Sequence, residues 1–116
     1  MLLSGCSVIG IGASVEAGPE LFYYGKLEQV LRAPLPEVHE ASVRVIREMV
    51  SELIEERADS RSAHLSSKSP DGEPLWVDLE ALGEEQTRIT IRAGLSGDED
   101  RERYILTRIK KRLEGR

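Results

Sequence analysis

The stretch Leu75-Trp-Val-Asp-Leu-Glu-Ala-Leu-Gly-Glu-Glu-Gln-Thr-Arg-Ile-Thr-Ile-Arg-Ala93 decides the fold, because apolar and polar residues alternate along both of its halves. A period of two is typical of a strand with one buried and one solvated face. Gly83-Glu-Glu lies between the two halves as a turn. The pattern therefore predicts two strands that share an inward set (Leu75, Val77, Leu79, Ile89, Ile91 and Ala93) and an outward set that includes Trp76, Arg88 and Arg92.

Upstream of this stretch the sequence predicts further strands and a helix. Residues 53–59 and 61–68 are interpreted as one interrupted strand, which leads into Ser69-Pro-Asp-Gly-Glu-Pro74, where Asp-Gly suits a hairpin turn. Apolar residues three and four positions apart predict an amphipathic helix over residues 36–50. Residues 21–32, with three aromatics near their start, are interpreted as one strand that the following prolines end.

A second amphipathic helix is expected after the last strand, with Ile105, Leu106, Ile109 and Leu113 as its buried stripe. Ser96-Gly-Asp-Glu99 fits a capping box at its start. The predicted fold is α+β: a two-layer sandwich of order β-α-β-β-β-α, with a mainly antiparallel sheet and two helices on one face. Residues 21–116 are expected to form this single domain.

The composition is that of one small globular domain of 116 residues, 40% hydrophobic and 32% charged. Sixteen Lys and Arg against 21 Asp and Glu give a net charge of −5, which disfavours nucleic acid as a partner. A single cysteine excludes an intrachain disulfide. No metal, no cofactor and no catalytic residue is predicted, because no pair of titratable residues has a recognisable catalytic spacing.

The first fifteen residues carry no charge, and they are too short to span a membrane as a helix. They contain Leu3-Ser4-Gly5-Cys6, which resembles a bacterial lipobox: an aliphatic residue and two small residues before a cysteine whose thiol receives diacylglycerol. Acyl chains such as palmitate on Cys6 would anchor the protein durably in a membrane. Residues 1–6 are interpreted as a truncated signal peptide with its lipobox, and residues 7–20 as a flexible tether.

The chain as a whole resembles a family of small bacterial lipoproteins of unknown function. The resemblance rests on the lipobox, Tyr23-Tyr24-Gly25-Lys26-Leu27, the proline-led helix with Ala41, Asp71-Gly72, and the run from Thr87 to Asp98. It implies a cell-envelope location and an α+β domain, but no catalytic residues. In such lipoproteins an Asp after the cysteine retains the protein in the inner membrane, so Ser7 implies the periplasmic face of the outer membrane.

Two hypotheses about function follow. In the first, the protein is anchored through Cys6 and serves as a non-enzymatic structural or protein-interaction module, with a protein partner in the envelope. Trp76, Arg88 and Arg92 are then the candidate interaction surface, because Trp and Arg are enriched at binding hot spots. In the second, Cys6 is unmodified, and a soluble domain, cytoplasmic if the lipobox is not used, binds a small ligand or a peptide on its bare sheet face.

Overall fold

Six antiparallel strands form one sheet, and two helices pack against one of its faces. The structure, a computed structural model, describes residues 15–49 and 52–115. The strands are β1 (Leu21–Tyr23), β2 (Lys26–Leu31), β3 (Glu52–Ala58), β4 (Ser62–Lys68), β5 (Pro74–Gly83) and β6 (Gln86–Ala93), and the helices are α1 (Leu35–Met49) and α2 (Glu99–Glu114). The strand order is β1-β2-β6-β5-β4-β3. The predicted α+β sandwich is confirmed.

The hairpin of β5 and β6 lies at the centre of the sheet and has the predicted alternation. Val77 is the cross-strand partner of Ile91, and Leu79 is the partner of Ile89. All four side chains are buried beneath the helices. Because alternate residues point to opposite faces, the residues between them form the other face of the sheet, which no helix of the described residues covers.

Two predicted strands are each divided in the structure. Residues 21–32 form the hairpin of β1 and β2, in which Tyr24 and Gly25 both have positive φ, at 52° and 77°. Two consecutive positive φ values are typical of the tight two-residue hairpin loop. The second division lies between β3 and β4, where the Asp59 carboxylate accepts hydrogen bonds from the backbone N–H of Arg61 and Ser62. These bonds lower the pKa of Asp59.

Helix α2 begins two residues later than the proposed capping box, so the prediction that Ser96 caps it is wrong. The N-cap is Asp98, whose carboxylate accepts from the backbone N–H of Arg101. The fully buried carboxylate of Glu102 accepts from the N–H of Ala93 and of Asp98 and so fastens the preceding loop. A carboxylate in the first turn of a helix also interacts favourably with the positive end of the helix dipole.

Residues 15–20 belong to the folded domain, which corrects the predicted tether at its C-terminal end. Val15 is buried, and the backbone of residues 15–17 pairs with the end of β2. The Lys110 ammonium, itself buried, contacts Glu16 at 3.0 Å and Glu20 at 2.7 Å. These contacts hold the segment against α2, and the rest of the predicted tether, residues 7–14, lies outside the described residues.

Neither helix in the described part of the chain is long and apolar enough to cross a membrane.

Candidate functional site

The uncovered face of the sheet carries all three residues of the predicted interaction surface. Trp76 on β5 is the direct cross-strand partner of Arg92 on β6, and Arg88 lies four residues from Arg92 on β6, opposite Glu80. We call this face, formed by the outward residues of the strands, the open face. The structure therefore brings Trp76 and Arg92 together and sets Arg88 apart from them.

A shallow depression of about 260 Å³ surrounds the indole of Trp76. We call it the Trp76 cleft; it is lined by Lys26, Trp76, Asp78, Thr90 and Arg92. Three adjacent strands supply these side chains, because β6 lies between β2 and β5 in the sheet. Trp76 is half-buried in this cleft and leaves part of the ring accessible. A large, rigid aromatic surface with accessible area contributes strongly to binding energy.

Two cations of the Trp76 cleft have no carboxylate within ion-pair distance among the described residues. The Arg92 guanidinium donates through Nη2 to the backbone carbonyl of Leu95, which fixes its position at the end of β6. Its Nε is covered and finds no acceptor in the described part of the chain. Lys26 lies across from Arg92, since its neighbour Leu27 pairs with Ile91. The buried Glu102 carboxylate acts on Arg92 electrostatically, but only from beyond ion-pair distance. The cleft therefore has positive charge that no direct ion pair of the described residues neutralises.

Arg88 is in the opposite situation, because two carboxylates neutralise it. Its guanidinium contacts Glu28 at 3.1 Å and Glu80 at 2.6 Å. Glu28 also accepts a hydrogen bond of 2.7 Å from the Tyr23 hydroxyl, and this bond raises the pKa of Tyr23. Arg88 is thus part of an ion-pair network on the open face and is not directed into the Trp76 cleft.

A His–Asp pair lies beside the cleft on the same face. His64 Nδ1 and Asp78 Oδ1 are 2.6 Å apart, and the second ring nitrogen, Nε2, faces Glu55 Oε1 at 3.7 Å. In a hydrolase of the Ser-His-Asp type that second nitrogen contacts a hydroxyl nucleophile. Here it faces another carboxylate, so the arrangement lacks the nucleophile that such a hydrolase needs.

A larger open groove of about 850 Å³ runs along the outer flank of α1 toward β3. His39, at the start of α1, contacts Glu56 of β3 at 2.6 Å across this groove. Glu48, at the end of the same helix, is held by Arg108 at 2.9 Å and by Arg112. These two arginines lower the pKa of Glu48 by hydrogen bonding. His39, Glu48 and Glu56 of the groove thus serve to join elements of the fold.

Two other predictions concern metal binding and the lipobox. In residues 15–49 and 52–115, no group of three or more His, Cys, Asp or Glu side chains is arranged to hold a metal ion. Leu3, Ser4, Gly5 and Cys6 lie outside the described residues, so the lipid-attachment site stays a prediction from the sequence.

Lys26 is the cation of the Trp76 cleft that sequence reasoning missed. Treating residues 21–32 as a single strand left Lys26 without a neighbour on β6. The Tyr24-Gly25 pair is the signal that indicates a hairpin, because consecutive residues that tolerate positive φ favour a tight turn. Even so, only the pairing of β2 with β6 places Lys26 beside Arg92.

Among known families, the model described as "Protein of unknown function (DUF3568)" matches residues 1–112 of the chain. No curated protein matches the chain.

Proposed function

Since the chain belongs to the DUF3568 family of proteins of unknown function, we propose that it is a bacterial cell-envelope lipoprotein, anchored by lipid on Cys6. Its folded domain is then a non-enzymatic protein-interaction module that recognises a partner in the envelope through the Trp76 cleft. The observation that carries the recognition role is the half-buried Trp76 beside two cations that form no direct ion pair with a carboxylate of the described residues.

The sequence supports the anchoring part of the proposal. Leu3-Ser4-Gly5 precedes Cys6 as in a lipobox, and Cys6 is the only cysteine in the chain. The folded domain begins by Val15, which is buried against the sheet. Nine residues lead from Cys6 to Val15, and they span at most about 30 Å when fully extended. A domain on so short a connection stays close to the membrane surface, and Ser7 favours the outer membrane over the inner one.

The open face supports an interaction role for the domain. Hot spots of protein interfaces are enriched in Trp and Arg, which are paired across β5 and β6 at Trp76 and Arg92. The cleft, at about 260 Å³, is smaller than the 300–1,000 Å³ typical of sites that enclose a small molecule. Its volume therefore suits one or two side chains of a larger partner.

Anchoring is tested by the mass and the distribution of the protein in its native host. We expect the intact mass of the mature protein to show acyl chains on an N-terminal Cys6, and Cys6→Ser to move the protein from the membrane to the soluble fraction. The second hypothesis, a soluble domain with a bare thiol, predicts an unmodified cysteine. Unchanged membrane partitioning of Cys6→Ser would contradict the anchor.

The interaction role is tested by photo-crosslinking from the open face in living cells. A crosslinking amino acid at position 90, in the floor of the Trp76 cleft, should give an adduct that Trp76→Ala and Arg92→Ala each abolish. The matched control is position 62, which lies on the same face away from the cleft. Equal adducts from both positions, or an adduct that survives both substitutions, would argue against the cleft as the recognition site.

A further inference from the structure

Resting on the proposed interaction role, we infer that the Trp76 cleft binds an extended acidic peptide segment of its partner. A Glu or Asp carboxylate of that segment lies between Lys26 and Arg92, and an apolar side chain two residues away packs on the indole of Trp76. The partner is thereby described by a short chemical pattern, an acidic residue and an apolar residue at positions i and i+2.

The charge of the cleft favours a carboxylate. Six arginines of this acidic chain form ion pairs with a glutamate of the fold: Arg44, Arg57, Arg88, Arg103, Arg108 and Arg112. Lys26 and Arg92 have no such contact among the described residues and lie next to each other. The carboxylate of the cleft itself, Asp78, is bonded to His64 at 2.6 Å. An incoming anion would offset the mutual repulsion of the two cations, and a guanidinium binds a carboxylate well.

The spacing within the cleft favours an extended chain. Lys26, Arg92 and Trp76 lie side by side on β2, β6 and β5, and neighbouring strands are about 4.8 Å apart. The midpoint between the two cations is therefore about 7 Å from Trp76 along the row. In an extended peptide, side chains at i and i+2 point to the same side and are separated by about 6.6–7 Å. One peptide can thus reach both places without bending.

The rest of the open face favours a peptide over an anionic membrane surface. Asp78 lines the cleft, and Glu28 and Glu80 lie on the same face two residues further along β2 and β5. A flat bilayer would have to approach these carboxylates together with the cations, whereas a peptide in the cleft meets the cations first. Surface charges a few ångströms apart still act on one another at physiological ionic strength, because the Debye length is about 8 Å.

Trp76 is the only tryptophan in the chain, so its fluorescence reports on this cleft directly. The full 116-residue chain is titrated with the blocked peptide Gly-Glu-Thr-Leu-Gly, with the same peptide carrying Gln for Glu, and with Gly-Glu-Leu-Thr-Gly. We expect the first peptide to shift the Trp76 emission with saturation. The other two should bind about tenfold more weakly, the loss expected for one charge-assisted hydrogen bond or one displaced apolar contact.

Variants of the protein locate the binding. Lys26→Gln and Arg92→Gln should each lower the affinity for the Glu peptide about tenfold. The affinity for the Gln peptide, which is already low, should stay unchanged. Lys68→Gln is the matched control, since Lys68 is an exposed cation on the same face, on β4 and outside the cleft. Urea denaturation of each variant checks that the fold is intact. Equal affinity for the Glu and Gln peptides, or no effect of either cleft substitution, would overturn the inference.

Two further probes separate other sources of negative charge. Two anions are tested, free glutarate and vesicles of phosphatidylglycerol in phosphatidylcholine. At the same anion concentration, each should give a shift of the Trp76 emission at least tenfold smaller than the shift that the Glu peptide gives. A vesicle or glutarate response as strong as that of the peptide would overturn the peptide assignment. If crosslinking from position 90 survives Lys26→Gln and Arg92→Gln but is lost in Trp76→Ala and in Arg92→Ala, the proposed function stands and the acidic pattern fails.

Discussion

The two faces of the same six strands differ in what they bury and in how they handle charge. The covered face is apolar, and two of its polar side chains are bonded within the fold: Gln29 donates to the Gly18 carbonyl at 2.8 Å, and Thr87 donates to the Ala33 carbonyl at 2.8 Å. The open face carries charged side chains in ion pairs around one half-buried Trp76. Stability is therefore concentrated on one face, which leaves the residues of the other free to serve recognition.

The largest expected effect comes from two neighbours on β6 that point to opposite faces. Ile91 is fully buried, so Ile91→Ala should lower the free energy of unfolding by about 3 kcal/mol through lost burial and a residual cavity. Thr90, on the open face, should tolerate Ala within about 0.5 kcal/mol. Urea denaturation measures both. Similar losses at the two positions would break the distinction between the faces.

A second pair of variants compares backbone packing at the end of the sheet with an open turn. Gly97 has φ of 90°, and a Cβ there would overlap the backbone of Gly25, so Gly97→Ala should cost about 3 kcal/mol. Gly72 also has φ of 90°, but a Cβ there meets nothing within 4 Å. Gly72→Ala should therefore cost only about 1 kcal/mol, the strain of the left-handed backbone. Equal losses of unfolding free energy would rule out the close approach of Gly97 to Gly25.

The buried charge of the covered face is tested at Lys110. Lys110→Met leaves Glu20 and the side-chain carbonyl of Gln29 without the ammonium that they contact at 2.7 and 3.0 Å. We expect a loss of about 2 kcal/mol and faster amide hydrogen exchange in residues 15–20. Lys111→Met, on the exposed neighbour, is the control. Unchanged exchange in Lys110→Met would mean that this segment is held by its backbone pairing alone.

The smallest effect concerns the buried carboxylate of Glu102, whose pKa is raised above 4.5, mainly by burial. Because the folded state binds this proton more tightly, the contribution of Glu102 to stability is fully present below 4.5 and is lost as pH rises through the raised pKa. Glu102→Gln does not titrate, so its unfolding free energy relative to the native protein should grow with pH across that window. Urea denaturation at several pH values measures this, and parallel profiles would contradict it.

Local patterns were sufficient for the regular elements and for the two sheet faces. The alternation around Ile89 and Ile91 predicts which residues are buried, because a strand exposes alternate side chains to opposite faces whatever its partners are. The apolar spacing of α1 works in the same way. Local patterns failed where a backbone conformation depends on a distant contact. The loop before α2 is shaped by Gly25 and by Glu102, so the helix begins after Asp98 and not after Ser96.

By itself, the sequence determined the α+β class, the identity of the core and the outward position of Trp76, Arg88 and Arg92, since these follow from periodicity along one segment. Only the tertiary structure decided that Lys26 joins Trp76 and Arg92, that Arg88 is neutralised by Glu28 and Glu80, and that residues 15–20 pack on the domain. The physical reason is that the effect of a charged side chain depends on the groups within a few ångströms of it. Those neighbours come from strands far apart in the chain.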